Sequence, residues 1–143
     1  MRLPPRFDHH CLVLALFQDS FIQLCQLGIV LEDDPKLAEL YETVLKQCQY
    51  ETMVIESGRE AQDKLGTLSP ALILLDIHLP YVSGTDLLQQ IQADERFKQT
   101  TTIVMTADLY TAKDLEGQVE HVLLKTHGIT ALRNIATRVR PDP

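Results

Sequence analysis

The chain has 143 residues, enough for one domain with a core of its own and without room for a second. Its hydrophobic content of 45% excludes disorder throughout, and with no Trp and 6% aromatic residues the core must be mostly aliphatic. The formal net charge of -7 gives nucleic-acid binding no electrostatic support; the longest basic cluster, Arg133, Arg138 and Arg140 beside Asp142, reads as a solvated helix face.

Residues 1–27 stand apart from the rest of the chain. Arg2 and Arg6 precede the apolar run Cys11 to Phe17, but Asp8, His9 and His10 interrupt the approach and no small-x-small cleavage site comes after it. The run is well short of the ~20 residues that span a bilayer, so no membrane span is expected. Leu14, Phe17, Phe21, Leu24 and Cys25 fall at helical spacing. The extension is either a dispensable leader without order or an amphipathic helix that docks on the body or on a partner. Cys11, Cys25 and Cys48 form no CxxC pair, which argues against a zinc site or a disulfide framework and for reduced thiols in the cytoplasm. Cys48 suits a small core position.

Residues 28–140 form the folded domain. Gly28 to Leu31 is a short apolar run that stops at Glu32-Asp33-Asp34, as a strand buried on both faces would. Asp34 can cap the helix that Pro35 opens, whose inward positions are Leu37, Leu40, Tyr41, Val44 and Leu45. A second strand, Glu51 to Glu56, passes through Ser57-Gly58 into a short polar helix near Arg59 to Leu65. Ala71 to Leu75 is the most apolar stretch of the domain and ends at Asp76. After Pro80 and Gly84 comes a helix over Thr85 to Ile91, with Leu87, Leu88 and Ile91 inward. Thr101 to Thr106 is a fourth strand, and Asp108 to Gly117 is weakly helical and short. Val119 to Leu124 contains a fifth strand that runs into Lys125. Ile129 to Val139 is a closing amphipathic helix that buries Ile129, Leu132, Ile135, Ala136 and Val139.

Apolar strands alternating with helices imply an α/β fold, a doubly wound parallel sheet with helices on both faces. Ligands of such sheets bind at the carboxyl ends of the strands. Those ends carry Glu32 and Asp33, then Asp76, Thr106 and Lys125. Three close carboxylates repel one another unless a cation compensates, and oxygen-only ligands suit Mg²⁺. Such a cation would neutralise charge on a phosphoryl group and align it with a carboxylate nucleophile, while the lysine pairs with a phosphoryl oxygen and the threonine donates to another.

These residues resemble the response-regulator receiver domain of two-component signalling. The matching segments are IVLEDDP (Ile29 to Pro35), LILLDIHLPYVSG (Leu72 to Gly84), TIVMTA (Thr102 to Ala107) and VLLK (Val122 to Lys125). The resemblance implies a five-stranded, flavodoxin-like sheet in the order 2-1-3-4-5. It implies a single-domain response regulator in which Asp76 takes phosphate from a histidine kinase or histidine phosphotransfer protein. Asp33 would ligate Mg²⁺ directly, Glu32 through water, and the backbone carbonyl of His78 would complete the shell with Asp76. Thr106 and Lys125 would sense the phosphoryl group, and His78 and Asp108 hold positions that set phosphate lifetime in the family. It implies a phosphoacceptor rather than an enzyme, beyond catalysis of its own phosphorylation and dephosphorylation, and an output through a downstream protein.

The sequence also departs from the family pattern. Thr126 comes after the lysine where proline is usual, Val122 stands in place of the switch aromatic, and neither Tyr110 nor His121 is placed to substitute. The segment from Thr106 to Lys125 is short, which predicts a truncated fourth helix. These departures support an alternative, a receiver-fold binding module that does not switch on phosphorylation. A phosphatase of the haloacid dehalogenase type would carry a second Asp two residues after Asp76; His78 there argues against it.

Overall fold

The computed structural model describes residues 26–125 and 128–140. The readings of the extension up to Cys25, of Thr126 and of Asp142 therefore lie outside the described residues. Strands β1 (Leu27–Leu31), β2 (Glu51–Ile55), β3 (Leu72–Asp76), β4 (Thr101–Thr106) and β5 (His121–Leu124) form one parallel sheet in the order β2-β1-β3-β4-β5. Between them run α1 (Pro35–Gln47), α2 (Gly58–Leu65), α3 (Gly84–Ala93) and α4 (Leu109–Leu115), and α5 (Gly128–Val139) comes after β5. A single 3₁₀ turn, Glu95–Phe97, sits between α3 and β4 and was not expected from the sequence.

Side chains alternate along each strand, so the central strands feed two cores. Ile29, Leu31, Ile73, Leu75 and Val104 pack with residues of α2 and α3, Ala61, Leu65, Leu87, Leu88 and Ile91 among them. Val30, Leu72, Leu74, Ile103 and Met105 pack on the other face with Tyr41, Val44 and Leu45 of α1 and with Leu132, Ile135 and Ala136 of α5. Cys48 is buried in this second core, as a small apolar residue would be.

The helix boundaries are set by their caps. Asp34 accepts hydrogen bonds from the amides of Lys36 (2.9 Å) and Leu37 (3.4 Å), and Pro35 opens α1. Ser57, Ser83 and Asp108 cap α2, α3 and α4 in the same way. One inward assignment on α1 fails. Leu40 is 43% exposed and Ala38 is buried instead. The stripe runs through Ala38, Tyr41, Val44 and Leu45, at steps of three and four, and Leu40 lies about 100° off it. The expected shortening of the fourth helix is present, since α4 has 7 residues.

The loop between β3 and α3 is tightly specified. The Gly84 amide bonds to the Ile77 carbonyl at 3.2 Å, and a Cβ on Gly84 would lie 2.4 Å from that oxygen. Tyr81 adopts φ 71°, a left-handed backbone that side chains resist. Its ring is exposed and lies 5.5 Å from the Arg59 guanidinium.

Candidate functional site

β1 and β3 are hydrogen-bonded neighbours at the centre of the sheet, so the residues at their carboxyl ends meet. Asp76 is the last residue of β3 and pairs in register with Met105. It therefore shares the α1/α5 face of the sheet with Leu74 and Met105. Glu32 continues the alternation of Val30 onto the same face, and Lys125 that of Leu123. Thr106, two residues beyond Val104, falls on the opposite parity.

One oxygen each from Glu32, Asp33 and Asp76 lie within 4.8 Å of one another. Glu32 and Asp76 are buried, whereas Asp33 is open to solvent. Lys125 crosses this group: its Nζ is 3.0 Å from Glu32 Oε2 and 3.0 Å from Asp76 Oδ2. Lys125 also donates to Glu32 Oε1 at 3.3 Å, and backbone amides reach one oxygen of each buried acid. Asp76 Oδ1 accepts from the His78 amide at 3.0 Å, and Glu32 Oε1 from the Asp34 amide at 3.2 Å.

Burial pushes the Glu32 carboxyl up from its ordinary value, and the neighbouring Asp76 charge adds to that; together they outweigh the pull of Lys125. Burial pulls the Lys125 ammonium down, but its bonds to Asp76 and Glu32 outweigh this and the net shift is upward. Lys125 thus stands as the compensating cation that a buried acid pair requires. The sequence predicted the lysine as a partner for a phosphoryl group; the resting bridge to Glu32 was not anticipated.

Thr106 is fully buried and its hydroxyl oxygen accepts from the Asp108 amide at 3.1 Å. The Thr106 carbonyl accepts from the Lys125 amide at 2.9 Å, which ties the lysine's backbone to the end of β4. Asp108 is turned into the cap of α4, with its carboxylate bonded to the amides of Tyr110 and Thr111 and to the Thr111 hydroxyl at 2.6 Å. His78 is exposed beside Asp76.

A residue that the sequence placed only in the core also borders the site. Tyr41, 1% exposed, belongs to the core that contains Val30, Leu74 and Met105, the residues that precede Glu32 and Asp76 on this face or pair with them. Its hydroxyl has no hydrogen-bond partner among the described residues. Burial, helped by the Glu32 charge, pushes its phenol up to about 12. Its position on the helix stripe was legible; the state of its hydroxyl depends on long-range packing and left no signal.

The donor set is three carboxylates without His or Cys, which fits a hard divalent cation with retained waters rather than a transition metal. Lys125 at 3.0 Å shows that positive charge is tolerated between two of them.

A sheet in this order, with acids, a hydroxyl and an ammonium at its carboxyl ends, is matched over residues 29–137 by the family described as response regulator receiver domain; the chain belongs to that family. The DNA-binding response regulator MtrA of Mycolicibacterium smegmatis is 31% identical over 97 residues, 68% of this chain and 42% of that protein. The polar-differentiation response regulator DivK of Brucella ovis is 34% identical over 79 residues, 55% of this chain and 64% of that protein. The matches therefore span less than two thirds of either relative. A crystal structure of the response regulator TrrA from Thermotoga maritima, in complex with Mg²⁺-BeF, superimposes with TM-score 0.71 at 25% identity, covering 80% of this chain and 98% of that one. Among the described residues no helix is long and apolar enough to cross a membrane.

Proposed function

We propose that this receiver domain accepts a phosphoryl group on Asp76 from the phosphohistidine of a histidine kinase or histidine phosphotransfer protein. The observation that carries this reading is the convergence of Glu32, Asp33, Asp76 and Lys125 at the carboxyl ends of β1, β3 and β5. A carboxylate oxygen of Asp76 attacks phosphorus, the P–N bond breaks, and the imidazole leaves as an acyl phosphate forms. Glu32, Asp33, Asp76 and the His78 carbonyl would hold Mg²⁺, which supplies charge neutralisation for the incoming phosphoryl group. Lys125 already touches Asp76 Oδ2 and needs only a short displacement to pair with a phosphoryl oxygen. The Thr106 hydroxyl, whose oxygen accepts from the Asp108 amide, keeps its own proton free to donate. Residues 28–140 are the unit that does this, in the cytoplasm, with output through contact with a downstream protein.

The test is incubation of the chain with acetyl phosphate and Mg²⁺, read as intact mass. Wild type gains one hydroxylamine-labile phosphoryl group; Asp76→Ala, or wild type with the metal chelated, gains none. A label that survives Asp76→Ala, or no label at all, ends the reading. The second reading, a binding module that does not switch, is favoured by Val122 in β5 and by the seven residues of α4. It expects labelling of Asp76 with no change in amide exchange at α4.

A further inference from the structure

The two buried tyrosines of the α1/α5 core differ in one respect. The Tyr50 hydroxyl donates to the Ala136 carbonyl at 2.7 Å and is fully accommodated. The Tyr41 hydroxyl, also buried, has no partner among the described residues. An unpaired buried hydroxyl is destabilising, so a fold that retains one at a helix position suited to plain Leu or Phe invites a reason.

The reason lies one residue pair along the sheet. Tyr41 belongs to the same core as Val30, Glu32 is the next side chain on that face of β1, and the Glu32 charge is felt at the Tyr41 phenol. Glu32 is also 1% exposed. Its Oε1 accepts from the Asp34 amide and from Lys125 Nζ at 3.3 Å, whereas its Oε2 has the Lys125 ammonium at 3.0 Å in a contact without hydrogen-bond geometry. If Asp76 is phosphorylated, Lys125 transfers to a phosphoryl oxygen. Both Glu32 oxygens then lose the ammonium, and the buried Oε2 keeps no hydrogen-bond donor among the described residues. A hydroxyl without an acceptor thus shares this face with a carboxylate oxygen that has no hydrogen bond and is about to lose its ammonium.

We propose that Tyr41 is a positioning residue for Glu32: in the loaded site its hydroxyl donates a hydrogen bond to the Glu32 carboxylate, taking the place of Lys125 and holding that acid toward the metal. This rests on the phosphoacceptor reading of the site.

The experiment is calorimetric titration of Mg²⁺ into the full chain in the presence of beryllofluoride, for wild type, Tyr41→Phe, Glu32→Gln and the double variant. Tyr41→Phe removes the hydroxyl alone. It should weaken Mg²⁺ binding roughly tenfold, the effect of one hydrogen bond to a charged group. In the Glu32→Gln background the same substitution should change affinity by less than about twofold, because the charged acceptor is gone. Without metal, the urea midpoint of Tyr41→Phe should equal or exceed that of wild type, since an unpaired buried hydroxyl is removed.

Unchanged Mg²⁺ affinity in Tyr41→Phe overturns the proposal, and so does an equal loss in both backgrounds. A lower metal-free urea midpoint overturns it too, because the hydroxyl would then have a structural partner at rest. Failure of wild type to bind Mg²⁺ with beryllofluoride overturns the reading of the site itself, and is told apart because no Tyr41 variant enters it.

Discussion

Lys125 holds the resting site together, and its removal should expose what the acids do to each other. Lys125→Met leaves Glu32 and Asp76 facing one another with no intervening charge. Breaking a fully buried pair costs about 3–5 kcal/mol; with the lysine side chain 17% exposed, a loss of about 2 kcal/mol at pH 7 is expected. The pH dependence has a definite sign. The Glu32 carboxyl is raised above its ordinary 4.5, so the fold favours its protonated form, and stability recovers as pH falls through that raised value towards 4.5. Urea denaturation of Lys125→Met against wild type over a descending pH series checks this; a deficit that stays constant with pH is the contrary outcome. At this scale the sequence placed Glu32, Asp33, Asp76, Thr106 and Lys125 at strand ends because each lies at the end of an apolar run. It did not show the Lys125 bridge, because alternation along a strand fixes a side chain's face but not its rotamer. Nor did it distinguish Tyr41 from Tyr50. That difference depends on which one meets the Ala136 carbonyl, a partner 86 residues from Tyr50.

Among the elements, α4 departs furthest from expectation for a helix in a sheet protein. It has 7 residues, too few for intrinsic stability, so its cap matters more than usual. The Thr111 hydroxyl and the amides of Thr111 and Tyr110 hold the Asp108 carboxyl below its ordinary 3.8. A lowered carboxyl pKa contributes stability above the ordinary value and loses it as pH falls through the lowered one. Thr111→Val removes the largest of these causes. The Asp108 carboxyl should then titrate closer to 3.8, and the amides of Tyr110 and residue 111 should lose exchange protection at a higher pH than in wild type. Carboxyl-carbon NMR titration and hydrogen exchange measure the two effects; an unmoved Asp108 titration contradicts them. The cap at Asp34 was legible because Pro35 comes directly after it, and the shortness of α4 because few residues separate Thr106 from Lys125. The outward turn of Leu40 was not, since an apolar residue on the flank of a helix stripe resembles one within it.

For the molecule as a whole, the alternation of apolar runs with helical segments was sufficient to specify a parallel sheet covered on both faces. The order of its strands entered only through the resemblance of four short segments, because pairing is decided by contacts between distant stretches of chain. That distance has a kinetic side. Lys125 is 93 residues from Glu32 and 49 from Asp76 in the chain, yet it bonds to both. β5 pairs only with β4, at the edge of the sheet, so Lys125 reaches the acids only when β4 and β5 have been added in turn to β3. Such long-range pairings form late, after the entropy of closing large loops has been met. During refolding from urea, the capacity to bind beryllofluoride with Mg²⁺ should therefore return with the slowest phase, later than far-ultraviolet circular dichroism; binding that returns with the earliest phase contradicts this. A chain still being synthesised, or one with its last strand unpaired, presents two mutually repelling carboxyls and no ammonium. If Asp76 takes phosphate as proposed, the capacity to do so is in this way reserved for molecules that have finished folding.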